Sequence, residues 1–241
     1  MRVAVLSDIH GNLPALQAVY DDLTSRAAEQ IIVLGDVAFK GPHPRECLAF
    51  LQDLHPVAMI QGNTDQWLVE GLPGRFSPET EQGRRMVDFF HWTRERLGDR
   101  LQALANLPFS YEAALGQEIV LYLHATPESN ETWLPLSAPD EELERHFRHP
   151  RAHVFVAGHV HTPGLRRLAD HRTVINVGSV GMPWDGDCRA SYCILEGDGQ
   201  RIAVNLIRVP YNIERTIQDA YDRGMPWARE YEEALRAAQP F

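Results

Sequence analysis

Three apolar runs near the start of the chain, at 3–6, 31–34 and 57–60, each stop at a polar cluster: Ser7-Asp8, Gly35-Asp36 and Gly62-Asn63. Between the first two, Asn12-Leu13-Pro14 reads as a helix start, with a capping Asn and Pro in the first turn. Leu13, Leu16, Val19, Tyr20 and Leu23 then recur at helical spacing, and 45–54 repeats that pattern. Short buried strands joined by helices dictate a βαβαβ unit with parallel strands and right-handed crossovers. Ligands in such sheets collect at the carboxyl ends of the strands, where these polar clusters fall.

Further along, 64–70 and 77–97 read as helices, with Met86, Phe89, Phe90 and Trp92 as packing residues of the second. Strands return at 109–112, 118–123, 153–157, 173–176, 190–196 and 201–208, the last two joined by the tight-turn signal Gly197-Asp198-Gly199. Amphipathic helices at 212–222 and 227–238 finish the chain. The expected organisation is one α/β domain over 1–241, with a helical insertion at 64–104 and C-terminal helices at 212–241. A length of 241 residues with 44% hydrophobic and 23% charged residues suits a single such domain.

No apolar run approaches the roughly 20 residues that span a bilayer. The first residues enter a strand without the pattern of a signal peptide, and three cysteines, Cys47, Cys188 and Cys193, make no disulfide framework. A cytoplasmic protein is expected. The net charge of −10 opposes attraction to nucleic acid polymers and anionic membranes. It is compatible with a small phosphorylated substrate, because bound metal ions can reverse the field within one cleft.

Five segments carry the chemistry: Asp8-Ile-His10, Gly35-Asp36, Gly62-Asn63, His124, and Gly158-His159-Val-His161. In each a polar residue follows an apolar strand. An Asp-x-His or His-x-His step in extended backbone would put both side chains on one side. Imidazoles and carboxylates without neighbouring thiolates suit zinc, iron or manganese rather than a structural zinc knuckle.

In this order the segments resemble the calcineurin-like metallophosphoesterase superfamily, whose pattern runs D-x-H, G-D, G-N, H and G-H-x-H, and in particular its small prokaryotic phosphodiesterases. Asn176-Val-Gly-Ser-Val-Gly resembles the strand-turn that follows G-H-x-H there, and Gly178, Ser179 and Gly181 are expected to shape a tight turn behind the metals. The resemblance implies a four-layer α/β/β/α sandwich of two mixed β-sheets flanked by helices. It implies two divalent ions, one held by Asp8, His10, Asp36 and His161, the other by Asp36, Asn63, His124 and His159, with Asp36 as the bridge. Manganese, iron, zinc, nickel and cobalt all suit such a donor set, with manganese favoured in vitro. Two divalent ions outweigh two carboxylates and leave a positive site. A water acidified toward pH ~7 would attack phosphorus directly, with no phosphoenzyme.

One position departs from the pattern. Where many members read G-N-H-[DE], this chain has Gly62-Asn63-Thr64-Asp65. Thr64 cannot shuttle protons near neutral pH, which tilts the reading toward diesters or good leaving groups. Asp65 reads as a helix cap or a support for the ligands. Asn12 and Thr64 are candidate substrate contacts, with the capping role favoured for Asn12. Lys40, His43 and Arg45 either line the cleft mouth or form a solvated loop, and Trp133 and Trp184 either stack on a nucleobase or pack as core or interface residues. The expected activity is hydrolysis of small phosphodiesters or nucleotides; the alternative is a catalytically silent scaffold of the same fold. The aromatic-rich insertion and tail are compatible with a homodimer.

Overall fold

The computed structural model describes residues 1–199 and 201–240. Gln200 and the last residue of the expected domain and tail, Phe241, lie outside the described residues. The opening unit is β1 (Arg2–Leu6), α1 (Leu13–Ser25), β2 (Gln30–Val33), α2 (Pro44–Asp53) and β3 (Ala58–Met59). Its strands are parallel, with Val5 opposite Ile32 and Ile32 opposite Ala58. Helices α3 (Asn63–Glu70) and α4 (Glu81–Leu97) follow, then a 3-10 turn (Gly98–Arg100) and α5 (Leu101–Ala105). The second half runs β4 (Ser110–Leu115), β5 (Glu118–Leu123), α6 (Asp140–His146), β6 (Val154–Ala157), β7 (Gly164–Arg167) and β8 (Thr173–Asn176). The hairpin β9 (Ala190–Gly197) and β10 (Ile202–Val209) and the helices α7 (Ile213–Asp222) and α8 (Ala228–Ala237) complete it.

The strands form two mixed five-stranded sheets, ordered β10-β9-β1-β2-β3 and β4-β5-β6-β8-β7. Alternation along each strand builds the layers. Val3 and Val5 of β1 face inward and meet Val120, Tyr122, Val154 and Val156 of the other sheet. Ala4 and Leu6 face outward under Leu16 of α1, Leu48 of α2, Phe89 of α4 and Leu235 of α8. On the far side Leu121, Leu123 and Phe155 pack against Leu143 of α6. The result is the α/β/β/α sandwich. No helix of the described residues is long and apolar enough to cross a membrane.

One helix start and two further elements differ from the sequence reading for local reasons. The helix expected from 77 begins at Glu81, because Thr80 caps it by accepting from Gly83 N at 3.0 Å. Helix α6 and strand β7 had no apolar signal. Only Leu143 of α6 is buried, and β7 alternates half-buried with exposed residues.

Candidate metal centre

The carboxyl ends of β1, β2, β3, β5 and β6 converge between the two sheets, and each delivers part of one polar cluster. The chain turns just past each strand, and the conformations there correct the extended-backbone expectation. Asp8, His10, Asp36, His159 and His161 all have left-handed backbones, with φ of 55°, 45°, 54°, 67° and 55°. Non-glycine residues in this region carry strain on the order of 1–3 kcal/mol each, tolerated where the surroundings over-determine them. Here backbone hydrogen bonds do so: Asp8 N donates to Gly35 O at 3.1 Å and His10 N to Asp36 O at 2.9 Å.

Asp8, His10 and His161 form one buried trio of donors, and Asp8, Asp36 and His124 another. His161 Nε2 stands 3.1 Å from Asp8 Oδ1, and His10 Nε2 lies 3.7 Å from the same oxygen. Asp36 turns its two oxygens to opposite sides, Oδ2 lying 3.7 Å from His10 Nε2 and Oδ1 3.6 Å from His124 Nε2. Asn63 Oδ1 meets His124 Nε2 at 3.0 Å. His159 stands beside this cluster, half-buried, its ring centre 5.1 Å from that of His124.

The donors fit a cation. His10 Nδ1 faces Phe39 O at 2.9 Å, His124 Nδ1 faces Leu34 O at 2.7 Å and His161 Nδ1 faces Met182 O. A carbonyl only accepts, so each Nδ1 carries the proton and each neutral ring presents a bare lone pair at Nε2. Yet His10 Nε2 and His161 Nε2 face each other at 3.1 Å, and His124 Nε2 faces an amide oxygen. Lone pairs at such distances repel unless a positive charge lies between them. Asp8 Oδ1 is buried without a hydrogen-bond donor, as a ligand atom awaiting an ion would be.

The titration of the cluster reflects the same crowding. Burial works to raise the Asp8 carboxyl, but the positive charge of the neighbouring imidazoles in their protonated forms, His161 first, holds it well below the usual carboxylate range. Burial lowers His161 and, with the field of His124 added, brings His159 down to about 4. At His124 burial is outweighed by the Asp36 and Asp8 carboxylates, which raise it.

Around the ligands lies a supporting layer. Asp65 accepts from the backbone N–H groups of Asp36 at 2.7 Å, Val37 at 3.0 Å and Gly62 at 3.0 Å, clamping the Asp36 turn to the start of α3. Burial and the Asp36 carboxylate raise its own carboxyl. Ser179 Oγ donates to Asp8 O at 2.7 Å and accepts from Met182 N at 2.8 Å, which ties the Gly178–Gly181 turn to the segment carrying Asp8, a candidate ligand. The carbonyls of Leu34, Phe39 and Met182, which orient the imidazoles, had no sequence signal because any residue type supplies them.

Of the two roles weighed for Asn12, the structure shows the cap. Its Oδ1 accepts from Ala15 N and Thr216 Oγ1, and its Nδ2 donates to Gly181 O and Tyr211 Oη, so its amide is fully used. Thr64 keeps its candidacy: its N donates to Asp36 Oδ1 at 2.9 Å, while its buried Oγ1 has no partner. Of the residues weighed for the cleft mouth, His43 pairs with Asp219 at 3.0 Å and Arg45 with Asp99 at 2.6 Å, both away from the ligands. Lys40 is half-buried within the field of Asp36, and burial lowers its ammonium.

Residues 1–200 match the family model of the calcineurin-like phosphoesterase superfamily domain. The chain belongs to that superfamily. Among superfamily structures, a metallophosphoesterase from Sphaerobacter thermophilus is 28% identical, with a TM-score of 0.79 over 99% of this chain and 100% of that one. An uncharacterised protein of Methanocaldococcus jannaschii is 29% identical over 252 residues, covering 95% of this chain and 96% of its own. Phosphodiesterase YfcE of Escherichia coli (strain K12) is 32% identical over 74 residues, 27% of this chain and 40% of its own. Superfamily membership and the Asp/His cluster together make this a metal-dependent phosphoesterase.

Proposed function

We propose that the protein hydrolyses small phosphodiesters with two divalent ions, one held by Asp8, His10, Asp36 and His161 and the other by Asp36, Asn63, His124 and His159. The observation that carries this reading is Asp36, whose two carboxylate oxygens address His10 on one side and His124 on the other. Bound divalent ions supply Lewis acidity to phosphoryl oxygens and lower the pKa of water toward about 7. The chain's own part is to hold the donors. Fixed Nδ1–H bonds to backbone carbonyls orient His10, His124 and His161, and Asp65 keeps the Asp36 turn in place. Thr64, whose hydroxyl is a poor acid near neutral pH, stands beside Asn63, so substrates whose leaving groups need little protonation are favoured. Diesters meet that condition better than unactivated monoesters, and the stretch similar to a phosphodiesterase agrees with it. We take manganese as the working ion and the cytoplasm as the setting, in keeping with three free cysteines.

The test is elemental analysis of protein purified without chelator, joined to assay of a chromogenic phosphodiester with and without manganese. About two ions per chain are expected, as in two-metal hydrolases. Asp36→Asn should abolish the manganese-dependent turnover. Protein that binds no metal and stays inactive with manganese supplied would be a silent scaffold instead.

A further inference from the structure

Trp133 and Trp184 come from different loops, one between β5 and α6 and the other between β8 and β9, yet they meet over the metal ligands. Trp184 is stacked on His161, with ring centres 3.7 Å apart and planes 20° off parallel. Trp133 leans on Trp184 at 5.7 Å and meets His159 edge-on at 5.8 Å. Four rings thus run from one ligand of the His-x-His pair to the other. The outermost, Trp133, is 53% exposed. A single exposed large apolar residue on a surface needs no explanation by itself. This one is held by rings that are candidate metal ligands, so its position is fixed relative to the reacting centre.

A second observation is a cleft that the same indole borders. Trp133 also walls a cleft of about 420 Å³ with Pro135, Leu136, Val160, Pro163 and Leu165. Val160 is the residue between His159 and His161, so the cleft borders the segment that carries them. Its volume falls within the roughly 300–1,000 Å³ of small-molecule sites. Among the described residues, no acidic side chain lines it, although the chain as a whole carries a net charge of −10. An indole edge, mixed apolar and polar walls that include Ser137, Thr162 and Arg166, and no opposing carboxylate suit a flat group attached to an anion.

We infer that Trp133, backed by Trp184, is the platform on which the base of a nucleotide-type phosphodiester stacks while its phosphate sits at the metal centre. The inference rests on the phosphodiesterase reading above and gives it a substrate class. Stacking on an indole is tolerant of base identity, because every base has a π-face. Selectivity should therefore be for the presence of a base and not for its sequence of polar groups.

Three diesters with the same p-nitrophenolate leaving group separate the possibilities: one carrying thymidine, one its abasic deoxyribose, one a methyl group. Wild-type protein with manganese should favour the thymidine ester over the abasic one in kcat/KM by about tenfold, the scale of one base–aromatic stack. Trp133→Ala should remove that preference, mainly through KM, bringing the thymidine ester down toward the abasic one. Trp133→Phe should restore most of it. Equal losses on all three esters, or a wild type blind to the base, would overturn the platform. Turnover of none of the three would sink the phosphodiesterase reading itself. The platform is then judged by calorimetry with thymidine 5′-monophosphate: Trp133→Ala weakening its Kd about tenfold supports it, and an unchanged Kd overturns it.

Discussion

At the scale of single residues, the glycines beside the ligands have a steric role. A Cβ on Gly62 would lie 2.1 Å from Asp36 Oδ1 and 2.4 Å from Asp36 N. One on Gly158 would lie 1.9 Å from Ser7 Oγ and 2.5 Å from Asp8 Oδ2. Each glycine thus lets one strand end press against the carboxylate delivered by another. Gly62→Ala must displace the Asp36 carboxylate or the start of α3. Since a misplacement of about 1 Å can cost on the order of a hundredfold in rate, activity should fall at least that far. Metal content, read by elemental analysis, should drop with it, while far-UV circular dichroism stays native. Gly74→Ala, where nothing lies within 4 Å of the new methyl, is the control and should leave both unchanged. The candidate ligands stood out in the sequence because each follows an apolar run, most of them beside a turn-forming residue, with His124 after Leu123 the exception. Their left-handed backbones did not. That conformation depends on hydrogen bonds such as His10 N to Asp36 O, between segments far apart in the chain.

At the scale of elements, two helices begin with the same cap but with different consequences. Asn212 caps α7 by accepting from Arg215 N at 3.0 Å at an exposed position. Asn12 caps α1 from a fully buried position, and it also binds Thr216 of α7, Tyr211 and the Gly181 turn. Asn212→Ala should cost about 1 kcal/mol, the usual value of an N-cap. Asn12→Ala strands several buried groups besides the cap and should cost about 2–4 kcal/mol. Urea unfolding of the two variants reads the difference, and equal costs would mean that Asn12 is only a cap. The sequence showed the Asn12 cap, since Asn before an apolar helical stripe is a local signal, whereas Asn212 read only as the first residue of its helix. The joining of α1 to α7 lay beyond it, because Asn12 and Thr216 are 204 positions apart. The same divide explains the strands. β1, β2, β5 and β8 carry buried runs that any fold must hide, whereas β7 has Gly164, Arg166 and Arg167 among its four residues and owes its pairing to β8.

At the scale of the whole molecule, the two sheets close over a cluster of imidazoles and carboxylates that crowd their donor atoms into one buried place. Metal binding and folding are therefore coupled: an ion at a hundred times its Kd adds about 2.7 kcal/mol to stability. For a chain of this size that corresponds to a rise of about 5–10 °C in Tm. The increment depends on pH, because each donor must shed its proton to bind. His124 is raised by Asp36 and Asp8, so its proton competes with the ion at a higher pH than that of a free imidazole would. Each pH unit below that pKa weakens apparent binding about tenfold per competing proton. The metal-free protein follows a separate course. His161 and His159 are lowered in the folded state, the latter to about 4, so below about 6.5 the unfolded chain binds more protons and stability falls with pH. His124 works in the opposite sense there: its raised pKa adds stability below about 6.5, and that stability is lost as pH rises through the folded value. Taking the difference between manganese-loaded and chelator-stripped protein cancels these metal-free terms and isolates the competition for the donors. Scanning calorimetry at pH 8, 6.5 and 5 should show that difference in Tm largest at pH 8 and smallest at pH 5. A difference that stayed constant or grew on acidification would mean that the manganese is held by groups that do not titrate in this range, and not by the histidines gathered at the strand ends.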